Sequence, residues 1–106
     1  MNRGDLYRVR RPPADPRAAR VYVVVARDSL LRTSFRTILC APVLSVGEGL
    51  ATQVSVGTSE GLKHASWIFC DGLTSLPRSA LTDYLGSLSP AKLEALNRAL
   101  RIALDL

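Results

Sequence analysis

Two polar residues stand at the ends of apolar segments, where active sites are often found. Arg20 directly precedes the apolar run Val21–Ala26, and Ser45 follows the apolar run 38–41. Beside a cleft, a guanidinium and a hydroxyl both donate hydrogen bonds to a phosphate or another oxyanion. We therefore treat the two residues as candidates for a site that binds developing negative charge.

Each candidate also has an ordinary structural explanation. Arg20 could form an ion pair with Asp15 or Asp28 instead of facing a cleft. Ser45 could be a solvated residue at a simple strand end, because serine is common in turns. The residue types alone leave both alternatives open.

The positive charge is concentrated in the first third of the chain. The formal net charge is +5, yet residues 1–36 hold nine arginines and three aspartates, whereas residues 37–106 hold five basic and six acidic residues. The planar fork of arginine suits phosphate better than the point charge of lysine. This distribution predicts a polyanionic partner, either a nucleic acid or an acidic peptide, with Arg10, Arg11, Arg17 and Arg27 as nucleic-acid-binding candidates. The alternative is a solvated basic face.

The sequence lacks the motifs of several common enzyme classes. The sequence contains no phosphate-binding P-loop, no GxSxG and no HExxH motif. Its single histidine, His64, and its two cysteines, Cys40 and Cys70, do not have the spacing of a metal site. We expect free buried thiols, no metal and no cofactor. The N-terminus lacks an apolar signal core and no apolar run is long enough to span a membrane, so we expect a cytoplasmic protein.

Apolar patterning predicts a series of short strands. Residues 6–10 and 50–56 alternate as half-buried strands do, whereas 21–26, 37–41 and 66–70 are mainly apolar on both faces. Asp28 or Ser29 is expected to cap a short helical turn through Arg32. A strand at 73–76 is expected after a kink at Gly72, followed by a helical turn at 77–81 and a last strand at 84–85.

The C-terminal segment predicts an amphipathic helix. Ser89 suits the N-cap and Pro90 suits the first helical position. One apolar stripe follows at three- and four-residue steps, made of Leu93, Leu96, Leu100, Ala103 and Leu104. Many short strands and one packing helix indicate an α+β domain, a small β-barrel or strongly bent sheet, over residues 1–106.

The order of these segments resembles the MazF/PemK-like toxins of type II toxin–antitoxin systems. The resemblance rests on an opening RGDLY, a proline-containing loop, an arginine before a valine-rich strand, "TILCAPVLS", "GL…SWIFCDGLTSL" and the amphipathic C-terminal helix. It implies a small SH3-like β-barrel of the CcdB/PemK type with a C-terminal helix. It also implies a homodimeric, metal-independent endoribonuclease that cuts single-stranded mRNA and is blocked by a cognate antitoxin.

Some polar positions of the family are matched and others are not. Arg20 stands where the family has an arginine that stabilises the scissile phosphate, and Asp15 fits an acidic residue five positions earlier. Where the family has threonine or serine after "AP", this chain has Leu44, with Ser45 one residue later. Where the family has glutamine after "CD", this chain has Gly72.

The chemistry that the resemblance implies could be shared by three residues. Arg20 would stabilise phosphoryl charge, and Asp15 could accept the proton of the RNA 2′-OH. Ser45 could donate a hydrogen bond to the phosphate if the loop turns it into the place that the family register gives to Leu44. The unmatched positions, Leu44 and Gly72, favour a second hypothesis: a non-cleaving toxin or divergent relative that binds nucleic acid or a protein, as the related CcdB-like toxins bind gyrase.

Overall fold

The computed structural model describes residues 1–10 and 21–106. In chain order the strands are β1 (Asp5–Arg8), β2 (Val21–Val24), β3 (Thr37–Leu44), β4 (Gln53–Val56), β5 (Ser66–Phe69), β6 (Thr74–Pro77) and β7 (Asp83–Ser87). A one-turn helix α1 (Asp28–Leu31) follows β2, and the long helix α2 (Pro90–Leu104) follows β7. Three 3₁₀ turns cover Thr58–Glu60, Cys70–Gly72 and Arg78–Ala80.

The seven strands form one antiparallel sheet that curls strongly. Its neighbours run in the order β4-β5-β3-β2-β1-β7, and β6 pairs with β3 beside β5. The eight-residue β3 is the longest strand and pairs with β2 on one side and with both β5 and β6 on the other. The α+β class with a bent sheet and a C-terminal helix is confirmed.

The two faces of the sheet bury two separate apolar clusters. The first lies against α2 and is centred on Leu6, Val23, Ile68, Leu96 and Ala99. The second is enclosed by the curled sheet, α1 and the loop after the last 3₁₀ turn, and includes Tyr22, Val24, Ile38 and Leu81. Successive residues of β2 point into different clusters, which explains why this strand is apolar on both faces.

Pro42 lies inside β3, which runs past the strand predicted over 37–41 and ends at Leu44. Val25 N–H donates to Leu39 O at 3.0 Å, which places the backbone groups of residues 39, 41 and 43 towards β2. The ring nitrogen of Pro42 therefore points to the other side. There the pairing with β6 ends at Cys40 and the pairing with β5 begins at Val43. The missing N–H falls in that gap and costs the ladder no hydrogen bond.

Helix α2 begins as predicted. Ser89 is the N-cap and its Oγ accepts from Lys92 N–H at 3.2 Å, with Pro90 as the first helical residue. The predicted apolar stripe needs two corrections. Ala99 is buried although it was not assigned to the stripe, and Leu104, the last residue of the helix, is 51% exposed.

Two further boundaries differ from prediction. The N-cap of α1 is Arg27 and no side chain caps it. Asp28 instead accepts the backbone N–H of Arg3 at 2.8 Å. Strand β4 begins at Gln53 instead of residue 50, since Gln53 N–H donates to Leu50 O at 2.9 Å and closes a turn before the strand.

Candidate active site

The sheet edge at which β2 begins is the candidate site. Val21, the first residue of β2, pairs with Val43 of β3 and with Arg8 of β1. The chain therefore enters β2 beside the end of β1 and close to the end of β3 at Leu44. We refer to this part of the sheet, with Arg8, Val21, Val43 and Leu44, as the β2-entry edge.

Four of the predicted site residues lie outside the described residues: Arg11, Asp15, Arg17 and Arg20. Their roles remain predictions. One peptide bond joins Arg20 to Val21 in the sequence, and Val21 is at the β2-entry edge.

Leu44 and Ser45 both reach solvent next to this edge. Leu44 ends β3, pairs with Trp67 of β5 and is 36% exposed. Ser45 is exposed in the bend that follows, and its hydroxyl forms no hydrogen bond within the described part of the chain. A hydroxyl in this setting can donate to a bound oxyanion without first breaking an internal bond.

The two arginines of the basic set that the structure describes lie at different ends of the sheet. Arg10 is exposed two residues beyond the end of β1, next to the β2-entry edge. Arg27 is exposed at the start of α1, beyond the opposite end of β2. The structure thus brings Arg10, but not Arg27, to the edge that carries Leu44 and Ser45.

A hydroxyl–carboxylate pair formed by Thr52 and Asp71 was not identified from the sequence. Thr52 Oγ1 donates to Asp71 Oδ2 at 2.6 Å, and Cys70 N–H donates to Thr52 O at 3.0 Å. These bonds join the segment before β4 to the 3₁₀ turn at Cys70–Gly72. Asp71 follows a strand within the "CD" pair, whereas no pattern signals Thr52, because only the fold brings it to Asp71.

Gly72 packs closely against Pro42. A Cβ atom at position 72 would lie 3.0 Å from Pro42 Cγ and 3.4 Å from Pro42 Cδ. Any larger side chain requires the proline ring to shift. The close contact gives a packing reason for glycine where the family resemblance implies glutamine.

The aromatic side chains differ sharply in exposure. Tyr7 and Tyr22 are buried, whereas Tyr84 is 55% exposed. The Tyr84 ring meets Tyr7 edge to face, with 5.8 Å between ring centroids, and its hydroxyl lies 2.6 Å from Ser87 Oγ. Trp67 is only half-buried although it belongs to an apolar strand, because the loop after β3 and a groove beside α2 flank its indole.

That groove lies between α2 and strands β4 and β5. It has a volume of about 410 Å³, and its lining includes Val54, Trp67, Lys92, Arg98 and Ile102. Lys92 Nζ donates to Ser55 O at 2.6 Å and to Ser55 Oγ at 3.0 Å, which fixes the ammonium at the groove wall. Apolar and cationic groups thus line the same groove.

The two thiols are free, buried and neutral. Cys40 and Cys70 belong to different apolar clusters. Burial raises the pKa of Cys40 to about 12. Burial, with a smaller contribution from the Asp71 carboxylate, raises the pKa of Cys70 to about 11. A thiol with such a pKa is a poor nucleophile near neutral pH, because the thiolate is the reactive form.

In residues 1–10 and 21–106 there is no group of three or more His, Cys, Asp or Glu side chains that could hold a metal ion. His64, the only histidine, is exposed in the turn before β5. No helix in the same residues is long and apolar enough to cross a membrane.

Solved structures of bacterial toxins share this fold. An "Endoribonuclease in complex with its cognate antitoxin from Mycobacterial species" superposes with a TM-score of 0.84 at 25% identity, over 100% of this chain and 96% of that chain. "Mycobacterium tuberculosis toxin MazF-mt6" gives a TM-score of 0.82 at 26% identity, over 96% and 97% of the two chains. The predicted small toxin-like barrel with a C-terminal helix is confirmed.

Sequence comparison leads to the same group of proteins. The chain is 31% identical over 88 residues to "Endoribonuclease MazF3" of Mycobacterium tuberculosis, and the match covers 83% of this chain and 84% of that relative. The family described as "PemK-like, MazF-like toxin of type II toxin-antitoxin system" matches residues 2–104. The chain therefore belongs to the PemK-like, MazF-like toxins of type II toxin–antitoxin systems.

Proposed function

We propose that this chain is the toxin of a type II toxin–antitoxin system and cuts single-stranded mRNA as a metal-independent, sequence-specific endoribonuclease. The observation that carries the proposal is the match to a relative named as an endoribonuclease over 83% of the chain. The arginine-rich first third of the sequence supports it, because phosphate contacts supply much of the affinity of proteins for nucleic acids.

The proposed cleavage uses the 2′-OH of the RNA itself as the nucleophile. The RNA 2′-oxygen attacks the adjacent phosphorus, the P–O bond to the 5′-oxygen of the next nucleotide breaks, and the products carry a 2′,3′-cyclic phosphate and a 5′-OH. Negative charge grows on the phosphoryl oxygens during this step. Preorganised donors aimed at those oxygens therefore lower the barrier most.

We assign these tasks to three residues of the chain. Arg20 stabilises the phosphoryl charge; its guanidinium stays protonated, so it does not act as the base. Asp15 accepts the proton of the 2′-OH. Ser45 donates a hydrogen bond to the phosphate. The position of Val21 beside Val43 supports a site shared by the start of β2 and the end of β3.

The flanking cations bind the rest of the RNA. Arg10, Arg11 and Arg17 contact phosphates on either side of the cleaved bond, and these contacts position the strand without reading its sequence. Arg27, at the far end of β2, contacts RNA only where the strand extends across the sheet. Tyr84, exposed on the edge strand β7, offers a ring on which an unpaired base can stack.

The partners follow from membership of the family. A cognate antitoxin binds the toxin and blocks RNA access, and the groove between α2 and β4 suits a segment with apolar and acidic side chains. The protein acts in the cytoplasm as one domain over residues 1–106. It forms a homodimer, supported by exposed apolar side chains such as Phe35, Leu39 and Leu106. Sedimentation of a monomer at micromolar concentration would contradict the dimer.

One observation favours a second function. Leu44 and Gly72 replace two polar residues that the resemblance implies, and Gly72 has a packing role against Pro42. A toxin with fewer phosphate donors could act by holding a nucleic acid or a protein such as gyrase without cleaving RNA. Incubating the purified toxin with mixed single-stranded RNA in EDTA separates the two. Discrete fragments support the ribonuclease, whereas intact RNA together with inhibited gyrase supercoiling supports the alternative.

A further inference from the structure

One side chain organises the loop between β3 and β4, residues 45–52. Gln53 Oε1 accepts three successive backbone N–H groups, from Glu48 at 3.0 Å, Gly49 at 3.0 Å and Leu50 at 3.3 Å. The Gln53 backbone N–H donates to Leu50 O at 2.9 Å and closes the same turn. The side-chain oxygen and the backbone N–H of Gln53 thus both bind the same loop.

Successive N–H groups converge on one acceptor only when the backbone curls in a particular way. Gly49 supplies that curl with a φ of +72°, in the left-handed region that favours glycine. Such an arrangement of amides is a nest, and nests commonly bind anions. Here the amide oxygen of the chain itself fills the nest.

The indole of Trp67 supports the opposite side of the loop. A Cβ atom on Gly47 would lie 2.3 Å from Trp67 Cδ1 and 2.4 Å from Trp67 Cγ, so the Gly47 backbone rests directly on the ring. Trp67 pairs across strands with Leu44 of β3 and with Ser55 of β4, so its backbone is held between two strands. The loop is thus held between a fixed ring and a fixed acceptor.

These contacts set the position of Ser45. It lies between Leu44, which is paired in the sheet, and Val46, which is 79% exposed, two residues before the glycine that rests on Trp67. A catalytic hydrogen-bond donor is effective when the protein fixes it before the reaction begins. A loop with no internal acceptor would instead spend free energy on ordering during each turnover.

We propose that Gln53 is a positioning residue that fixes the 45–52 loop and so holds the Ser45 hydroxyl at the β2-entry edge. The inference rests on the proposed ribonuclease function and deepens it. Gln53 itself does not touch RNA; it acts through the three amides that its Oε1 receives.

Two substitutions of similar size separate the acceptor from the packing. Gln53→Leu keeps the bulk of the side chain and removes the acceptor. Gln53→Glu keeps an acceptor oxygen in nearly the same place. For a defined RNA substrate, we expect Gln53→Leu to lower kcat about tenfold to a hundredfold with KM within about twofold, the scale of misplacing a catalytic group. Gln53→Glu should keep kcat within about threefold of the wild-type value.

A double variant tests whether Gln53 acts through Ser45. If it does, the kcat of Ser45→Ala/Gln53→Leu should lie within about twofold of that of Ser45→Ala alone, since coupled residues are not additive. A kcat loss in the double variant equal to the product of the two single-variant losses would overturn the inference. So would wild-type kcat in Gln53→Leu, or a kcat for Gln53→Glu as low as that of Gln53→Leu.

A measurement without RNA keeps this inference separate from the proposed activity. Trp67 is the only tryptophan, so acrylamide quenching of its fluorescence reports how well the loop shields the indole from solvent. The fluorescence of Gln53→Leu and of Gly49→Ala should be quenched more readily than that of the wild type, and the fluorescence of Gln53→Glu should not. Unchanged quenching in both loop variants, with native far-UV circular dichroism, would overturn the inference. Absence of RNA cleavage by the wild type would instead contradict the proposed function.

Discussion

The contrast between Leu96→Ala and Leu104→Ala tests the packing of α2 on the sheet. Both leucines lie on the same helix and both belong to the predicted apolar stripe, but Leu96 is fully buried in the first cluster whereas Leu104 is 51% exposed. The change in helix propensity from leucine to alanine is small at both positions, because both residues are strong helix formers. The difference between the two variants therefore isolates burial and packing.

The expected magnitudes follow from these environments. Removing a fully buried leucine side chain costs about 2–5 kcal/mol, and we expect about 3 kcal/mol for Leu96→Ala. A substitution at a largely solvated position costs about 0.5 kcal/mol, which we expect for Leu104→Ala. With a urea dependence of about 1–3 kcal/mol per molar, the two midpoints should differ by about 1 M or more.

Urea unfolding followed by Trp67 fluorescence measures both variants. The protein concentration must be equal, because association of subunits shifts the apparent stability. Equal losses of stability in the two variants, or a larger loss in Leu104→Ala, would show that α2 does not pack on the sheet through Leu96.

Three further predictions concern the site and the thiols. Arg20→Ala should lower cleavage by about two to three powers of ten while weakening RNA binding much less; equal losses in cleavage and filter binding would make it a binding residue only. Ser45→Ala should lower cleavage while Leu44→Thr changes little; the reverse result, a silent Ser45→Ala with faster cleavage by Leu44→Thr, would move the phosphate to position 44. Stability should fall as pH rises above about 9, because the raised pKa values of Cys40, about 12, and Cys70, about 11, keep both thiols neutral in the folded state while they ionise in the unfolded chain. Above that pH, each thiol lowers the free energy of unfolding by about 1.4 kcal/mol per pH unit until its folded pKa is reached. Urea midpoints that stay constant from pH 8.5 to 10.5 would contradict this. So would midpoints that fall by the same amount after both cysteines are replaced by alanine.

Local patterns were sufficient for the elements whose environment is uniform along their length. The valine-rich run gave β2 because both of its faces are buried, and Ser89 with Pro90 gave the start of α2 because capping is a local interaction. Pro42 could not be placed from its own properties. Its tolerance within β3 depends on the gap between β5 and β6, which only the pairing of distant strands creates.

The same holds for the candidate site. The family resemblance proposes Arg20 and Asp15 by their order along the chain and Ser45 as the hydroxyl next to the unmatched Leu44, and these roles remain predictions. Thr52 and Gln53 were missed because their partners, Asp71 and the amides of residues 48–50, are set by strand register and loop curvature. A polar residue before a strand has many possible partners, and the sequence does not choose among them.

The chemistry of the cut ends tests the proposed ribonuclease most directly. Single-stranded RNA is incubated with the purified protein in EDTA, and polynucleotide kinase then labels the products without prior phosphatase treatment. The proposed mechanism predicts 5′-OH fragments that label directly, matched by 2′,3′-cyclic phosphate ends, and it predicts that Arg20→Ala abolishes most of the signal. Uncut RNA, or fragments with 5′-phosphate ends, would contradict it.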